Sequence, residues 1–373
     1  MKFRIKKNIL MEHLNHVIKG ISSKNLIPIL NCIKFDLNEK GLYMMSTDNE
    51  IAIKTFISKS EIEEIIELGQ IVISGKYIYE IIKKLPNTII NIEELVDSKL
   101  FIYTDNTSCN LNCNNAADFP NLELEDSLNP ISISKKLFKT IINQTIFATS
   151  TQESRPVLTG LNLKIDGNTL ECTATDSYRL SKKIVKLNTS VEDNINILIP
   201  TRNLTELVKL FDEDESNIEL HIFSNKIIFK FENIIFMSRL INGTYPDTSK
   251  LIPTEFELTI KLNLQEFYEA LDRASLLTNE DDKNTIKLES YDDKIKIYSN
   301  IPEIGNVEET IYATKNNSNN IKIAFSSKYM MDALKALNCN DIVLKFNNEV
   351  KPIIINESEN ENLTELILPI RTY

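Results

Sequence analysis

Catalysis and metal binding draw on a short set of side chains, and this sequence uses them sparingly. Three histidines are present, His13, His16 and His221. His13 and His16 stand three residues apart, a spacing that places both imidazoles on one helix face. No acidic or thiol partner at metal-ligand spacing accompanies them, so both read as exposed helix residues. The cysteines, Cys32, Cys109, Cys113, Cys172 and Cys339, are odd in number and scattered. That pattern argues against a disulfide framework and fits a reducing compartment. Only Cys109 and Cys113 are close, and a lone C-x3-C with no nearby His or second Cys pair makes a poor zinc site. The acidic pairs Asp281-Asp282 and Asp292-Asp293 lie in polar turn contexts and read as solvated loop charges. Nucleophile-elbow, Walker A and dinucleotide-binding glycine patterns are absent, and eight glycines in 373 residues leave little material for phosphate-cradling loops. The expected chemistry is binding, with no catalytic residue, no metal and no cofactor.

The side chains that could bind are basic, and they cluster on one kind of element. Six segments share a pattern of short strand, polar or basic residue, then amphipathic helix, with helices beginning near Asn8, Gly75, Lys135, Arg202, Asn263 and Lys328. Apolar residues recur at helical spacing in each, as with Leu10, Leu14, Val17 and Ile18, or Phe267, Ala270, Leu271 and Ala274. Runs such as 33–37, 161–165, 286–289 and 295–298 alternate or cluster apolar residues as strands do. Charges on the helices and their entries sum to +8 in a chain of net charge −11, which leaves −19 elsewhere. Basic helices facing one way and acidic strands the other would suit sequence-independent contact with a phosphate backbone. The fifth helix, at −2, goes against that pattern.

A longer period encloses the short one. Asn8 and Lys135 are 127 residues apart, and Lys135 and Asn263 are 128 apart. Polar, proline-containing joints fall where this period places them, at 121–130 and 247–254. The chain therefore reads as three similar α+β domains, at 1–129, 130–250 and 251–373, each made of two strand–helix–strands units. A composition of 42% hydrophobic and 25% charged residues is that of an ordinary soluble protein. No run of about 18 apolar residues indicates a membrane span. The N-terminus enters a strand-like alternation directly, so a cytoplasmic location is expected. On the repeats alone, a binding scaffold stands beside a triplicated-domain enzyme or ligand-binding protein.

Several motifs then resemble one family in order along the whole chain: Ser154-Arg155-Pro156-Val157-Leu158-Thr159-Gly160, Thr173-Ala174-Thr175-Asp176-Ser177-Tyr178-Arg179-Leu180, Asn242-Gly243-Thr244-Tyr245-Pro246-Asp247 and the C-terminal Leu366-Ile367-Leu368-Pro369-Ile370-Arg371-Thr372-Tyr373. Lys24-Asn25-Leu26-Ile27-Pro28-Ile29-Leu30 and Ala116-Ala117-Asp118-Phe119-Pro120 also fit. They resemble the β subunits of bacterial DNA polymerase III, the β sliding clamps, and the ending is similar to that of Gram-positive-type members. The resemblance implies a DNA-clamp fold and a head-to-tail dimeric ring that encircles duplex DNA. It also implies partners in the replicative polymerase catalytic subunit, the clamp loader and other replication and repair clients.

Geometry agrees with a dimer. Six helices about 10 Å apart enclose a bore of only about 9 Å, whereas twelve leave about 28 Å, enough for a duplex whose major groove alone is about 12 Å wide. The resemblance further implies a client-peptide pocket of Leu158, Thr175, Ser177, Tyr178, Arg179, Leu180, Pro246, Leu251, Ile367, Leu368, Pro369, Ile370 and Arg371. In it Arg179 would be a polar rim residue offering hydrogen bonds to the peptide. Lys24, Lys76, Gln152, Arg202 and Lys328 would face DNA. Cys109, Leu111, Leu276, Leu277, Glu303, Glu308 and Glu309 would form the dimer interface. The Thr-Asp pair recurs as Thr47-Asp48 and Thr175-Asp176 and reads as turn-forming. Tyr178-Arg179-Leu180 has no first-domain counterpart, which points to a duty particular to the second domain. Family members often carry His where this chain has Tyr178, a change expected to reshape one rim of the groove.

Overall fold

The computed structural model describes residues 1–22, 26–96, 98–212 and 214–371, so Lys24 lies outside the described residues. Six α-helices are found among them: α1 (Lys7–Val17), α2 (Gly75–Lys84), α3 (Lys135–Thr145), α4 (Thr201–Val208), α5 (Leu264–Ser275) and α6 (Ser327–Ala336). Each starts within one residue of its expected place. The apolar stripes face inward as the spacing requires: Leu10, Leu14 and Val17 are buried on α1, and Phe267, Ala270, Leu271 and Ala274 on α5. Asn263 caps α5 by accepting the Glu266 N–H at 3.0 Å.

A single strand leads into each helix and three strand segments follow it. The first unit runs Lys2–Lys6, α1, Cys32–Asn38, Gly41–Thr47 and Ile51–Ser58; the sixth runs Lys322–Ser326, α6, Asp341–Phe346, Ile353–Glu357 and Leu363–Ile367. In the middle of the chain two units share material. Strand Gly160–Thr175 bends through a register shift at Gly167, whose φ of 56° suits a residue without a Cβ. Its long partner Arg179–Pro200 closes one unit and opens the next.

By contact the chain forms two compact units, Met1–Lys136 with Arg202–Leu240, and Leu137–Thr201 with Ile241–Tyr373. Residues of the central repeat are divided between them. In the first unit one antiparallel sheet of 13 strands is continuous, because Ile234–Arg239 pairs edge to edge with Ile51–Ser58 (Phe236 opposite Ile53). In the second, Arg179 to Lys183 pair with Leu363 to Ile367 inside a seven-stranded sheet, and a four-stranded sheet covers the shared core of Phe267, Phe325 and Phe346.

One expectation is corrected. His13 is not an exposed helix residue. It is 5% exposed, and its Nδ1 lies 2.5 Å from the Thr55 hydroxyl; burial lowers its pKa. His16 beside it is half-buried. The run 121–130 is pinned along its length. Lys226 reaches the carboxylates of Glu125 at 2.8 Å and Glu123 at 3.4 Å, Lys230 pairs with Asp126, and the Ser127 N–H donates to His221 Nδ1 at 3.0 Å. Apolar residues continue the attachment, since Phe119 is buried with Cys32 and Val72, and Leu122 packs against them.

Candidate functional site

The site grows from a turn that the chain builds twice. At 47–51 and at 175–179 a Thr hydroxyl donates to the carbonyl four residues on (2.6 Å to Ile51, 2.5 Å to Arg179) and accepts the N–H two residues on. The following Asp Oδ1 accepts two more N–H groups, from Glu50 and Ile51 or from Tyr178 and Arg179. Asn49 and Ser177 adopt left-handed φ values of 77° and 80°. The recurring Thr-Asp pair is thus a turn-forming device, as its repetition suggests.

The copies differ in the use of the second carboxylate oxygen. Asp48 Oδ2 holds Arg202 at 2.8 Å, while Asp176 Oδ2 holds Arg179 Nε at 3.1 Å. Arg179 is therefore held between two carboxylates through its Nε and Nη1. Its side chain is 11% exposed, its Nη1 reaches Asp332 at 2.7 Å, and its guanidinium lies 4.6 Å from the Tyr329 ring centre and 5.4 Å from that of Phe147. Tyr329, Phe147 and Asp332 were not anticipated from sequence. They come from two helical regions distant in the chain, and only the 3.6-residue periodicity of α6, which puts Tyr329 next to buried Met330, hints at one of them.

Around this turn the expected pocket residues divide by exposure. Leu158 is buried with Leu198 and Tyr245, and Leu180 with Leu366 and Ile354. Thr175 and Ile367 are also buried. Tyr178 is 57% exposed, Leu251 49% and Leu368 39%; Ser177, Pro246 and Arg371 are exposed, and Pro369 and Ile370 half-buried. The Leu368 N–H donates to the Tyr178 carbonyl at 2.9 Å, and the Ile370 N–H to the Ala324 carbonyl at 2.7 Å, so the C-terminal residues are held beside the turn. Beneath them Glu365 is 1% exposed, and burial pushes its pKa well up against the Ser181 hydrogen bond and the nearby Arg179 and Lys183 charges. The Ser181 hydroxyl is 2.8 Å from both the Gln144 carbonyl and Glu365. One hydroxyl proton serves both contacts if it goes to Gln144 while a neutral Glu365 donates in turn.

The basic helices are less uniformly charged than their composition suggests. Lys135, one of the charges in the +8 sum, is 1% exposed and bound to Asp214 at 2.8 Å and Glu232 at 2.5 Å. Burial opposes its charge, but these carboxylates outweigh it and raise its pKa, while its hydrogen bond lowers that of Asp214 to about 2. Arg202 is tied to Asp48 as described. Lys76, Gln152 and Lys328 are exposed, and neither lysine has an ion pair among the described residues.

Of the expected interface residues, Cys109 and Leu111 are half-buried on strand Ser108–Asn114. Only its Cys113 and Asn114 pair with strand Gly69–Ser74, so the stretch from Ser108 to Asn112 has one neighbour. In the other unit Gly305–Tyr312 is an edge strand, paired among the described residues only with Lys294–Ile301. Beside it Leu276 is 77% exposed and Leu277 half-buried. Ile304, which sequence reasoning missed, is 71% exposed. Glu303 is exposed; Glu308 is paired to Lys296 at 2.6 Å and Glu309 to Arg273 at 2.8 Å.

Six copies of one strand–helix–sheet unit, with open sheet edges and a charge-locked turn, define a repeat-built α+β scaffold. Comparison with known proteins is specific. The chain matches the DNA polymerase III beta subunit N-terminal, central and C-terminal domains over residues 1–123, 132–247 and 249–371. It is 40% identical over 377 residues to the beta sliding clamp of Staphylococcus epidermidis, and 40% over 378 residues to that of Bacillus subtilis, covering all of each chain. The crystal structure of the Bacillus subtilis DNA polymerase sliding clamp superposes with a TM-score of 0.96 at 39% identity, again over the full length of both. The chain belongs to the DNA polymerase III β-subunit family, the β sliding clamps, and has their three-domain fold.

Proposed function

We propose that two copies of this chain close head to tail into a ring around duplex DNA and keep the replicative polymerase's catalytic subunit on its template, without catalysing a reaction themselves. The observation that carries this reading is family membership over the whole chain, domain by domain. Two open strand edges support the head-to-tail closure: the stretch 108–112 would pair with Gly305–Tyr312 of the second copy, with Cys109, Leu111, Leu276 and Leu277 at the seam and Glu303, Glu308 and Glu309 on its rim. The repeat period supports domains at 1–129, 130–250 and 251–373.

DNA would be held loosely by exposed cations, Lys76 and Lys328 with Lys24, Gln152 and Arg202, through backbone phosphates only. The polymerase, the clamp loader and other replication and repair clients would share the rim around Tyr178, Pro246, Leu251 and Leu368 to Arg371, inserting aliphatic or aromatic anchors over buried Leu158, Thr175, Leu180 and Ile367. The site of action would be the cytoplasm, at the nucleoid. Sedimentation equilibrium together with capture by a polymerase C-terminal peptide tests the reading. A particle of twice the 42.8 kDa chain mass that the peptide retains is expected. A monomer at micromolar concentration, or a peptide that binds equally well after the rim is removed, would overturn it.

A further inference from the structure

A row of lysines runs across the sheet of the first unit. Lys34 pairs across the strands with Met45, Met45 with Lys54, Lys54 with Ile235, and Ile235 with Lys230. Residues in register across antiparallel strands point to one face, so three lysines form a row, each about 10 Å from the next at two strand spacings. Lys226, four residues from Lys230, is on the same face.

The chain itself shows what such lysines bind. Its acidic strap lays Glu123 and Glu125 on Lys226, and Asp126 on Lys230. The other end of the row has no such partner. Neither Lys34 nor Lys54 has an ion pair among the described residues, and both line a cavity of about 630 Å³ between the strap and the sheet. Lys54 is half-buried with its ammonium 4.4 Å from the Tyr43 ring centre. Burial lowers its pKa, against the weaker pull of Asp36.

We propose that this cavity is a second peptide-docking site, which takes a short extended acidic segment with alternating carboxylate and aliphatic side chains. Carboxylates would go to Lys34 and Lys54, and aliphatic groups against Met45 and Leu122. Peptide N–H groups would go to the acceptors Asp36 and Gln70, which also line the cavity. That last requirement favours a peptide, which brings a row of N–H donors, over a phosphate, which is mostly acceptor and brings at most one or two P–O–H donors. The site is independent of the proposed client pocket.

The test is an anisotropy titration of the full chain with a labelled peptide, Asn-Leu-Glu-Leu-Glu-Asp-Ser, copying residues 121–127. Saturable binding is expected. The Lys34→Gln/Lys54→Gln pair should weaken it at least tenfold with an unchanged circular dichroism spectrum, and Lys54→Gln alone should weaken it measurably. Removing residues 368–373 should leave it unchanged. Absence of saturable binding, or equal binding by the double variant, would overturn the proposal. So would a loss confined to Lys226→Gln, which would mean that the probe only displaces the strap. Saturable binding of inorganic pyrophosphate with none of the peptide would assign the cavity to a phosphate ligand and overturn the peptide assignment.

Discussion

Replacing Arg179 with alanine should destabilise the second unit measurably. The guanidinium is 11% exposed and joins Asp176, itself 12% exposed, to Asp332 at 30%. Removing one partner of a fully buried pair costs about 3–5 kcal/mol. Here water can reach Asp332, and Asp176 keeps its two backbone N–H donors, so the electrostatic loss falls to about 1–2 kcal/mol. Loss of the cation–π contacts with Tyr329 and Phe147 adds about 1 kcal/mol. For a unit of roughly 200 residues, about 2–3 kcal/mol corresponds to a fall in Tm of about 5–10 °C. Differential scanning calorimetry of wild type, Arg179→Ala, Asp332→Ala and the double variant gives both the loss and the coupling, and the coupling should exceed about 0.5 kcal/mol. An Arg179→Ala protein that melts within 1 °C of wild type would refute the reasoning and return Arg179 to the role of a free rim donor.

Three other outcomes follow from the same structure. Glu365 has a raised folded-state pKa, so the native state binds more protons than the unfolded one above the ordinary carboxyl range and stability falls as pH rises from about 4.5; Glu365→Gln should match wild-type Tm near pH 4.5 and exceed it by pH 8, and a constant difference across that range would contradict a neutral buried acid. Changing Leu276 to Ala and Leu277 to Lys should yield folded monomers by light scattering, and a dimer that persists would mean the seam lies elsewhere. Deleting Leu368 through Tyr373 removes one wall of the groove in which burial of each client anchor is worth about 1.5–3 kcal/mol, so a client peptide held near −8 kcal/mol, about micromolar, should weaken at least tenfold in titration; wild-type affinity in a well-folded deletion variant would dismiss the pocket.

Local physics made much of this fold legible. Helical spacing of Leu10, Leu14 and Val17, or of Phe267, Ala270, Leu271 and Ala274, depends on residues within one element, and every helix start is placed to within a residue. The repeated Thr-Asp turn was readable for the same reason. What escaped was pairing over long separations. Lys135 looked like surface charge because Asp214 and Glu232, which neutralise it, lie 79 and 97 residues away. His13 looked exposed because Thr55, on a strand 42 residues on, is what makes its burial tolerable. The polarity of the run 121–130 gave no sign that its acids are bound by Lys226 and Lys230, about a hundred residues further along. At the candidate site the motif Tyr178-Arg179-Leu180 was conspicuous, but the Arg179 partner Asp332 is 153 residues away, so the ion pair that holds the guanidinium was not legible.

Topological retention on DNA tests the central claim most directly. The protein, loaded by its clamp loader onto a nicked circular duplex, is followed through gel filtration at a salt concentration that abolishes ordinary phosphate contacts, before and after the circle is cut once with a restriction enzyme. A ring held by closure and only weakly by charge should stay with the circle and leave on linearisation. Equal loss from circular and linear DNA, or equal retention on both, would contradict encirclement.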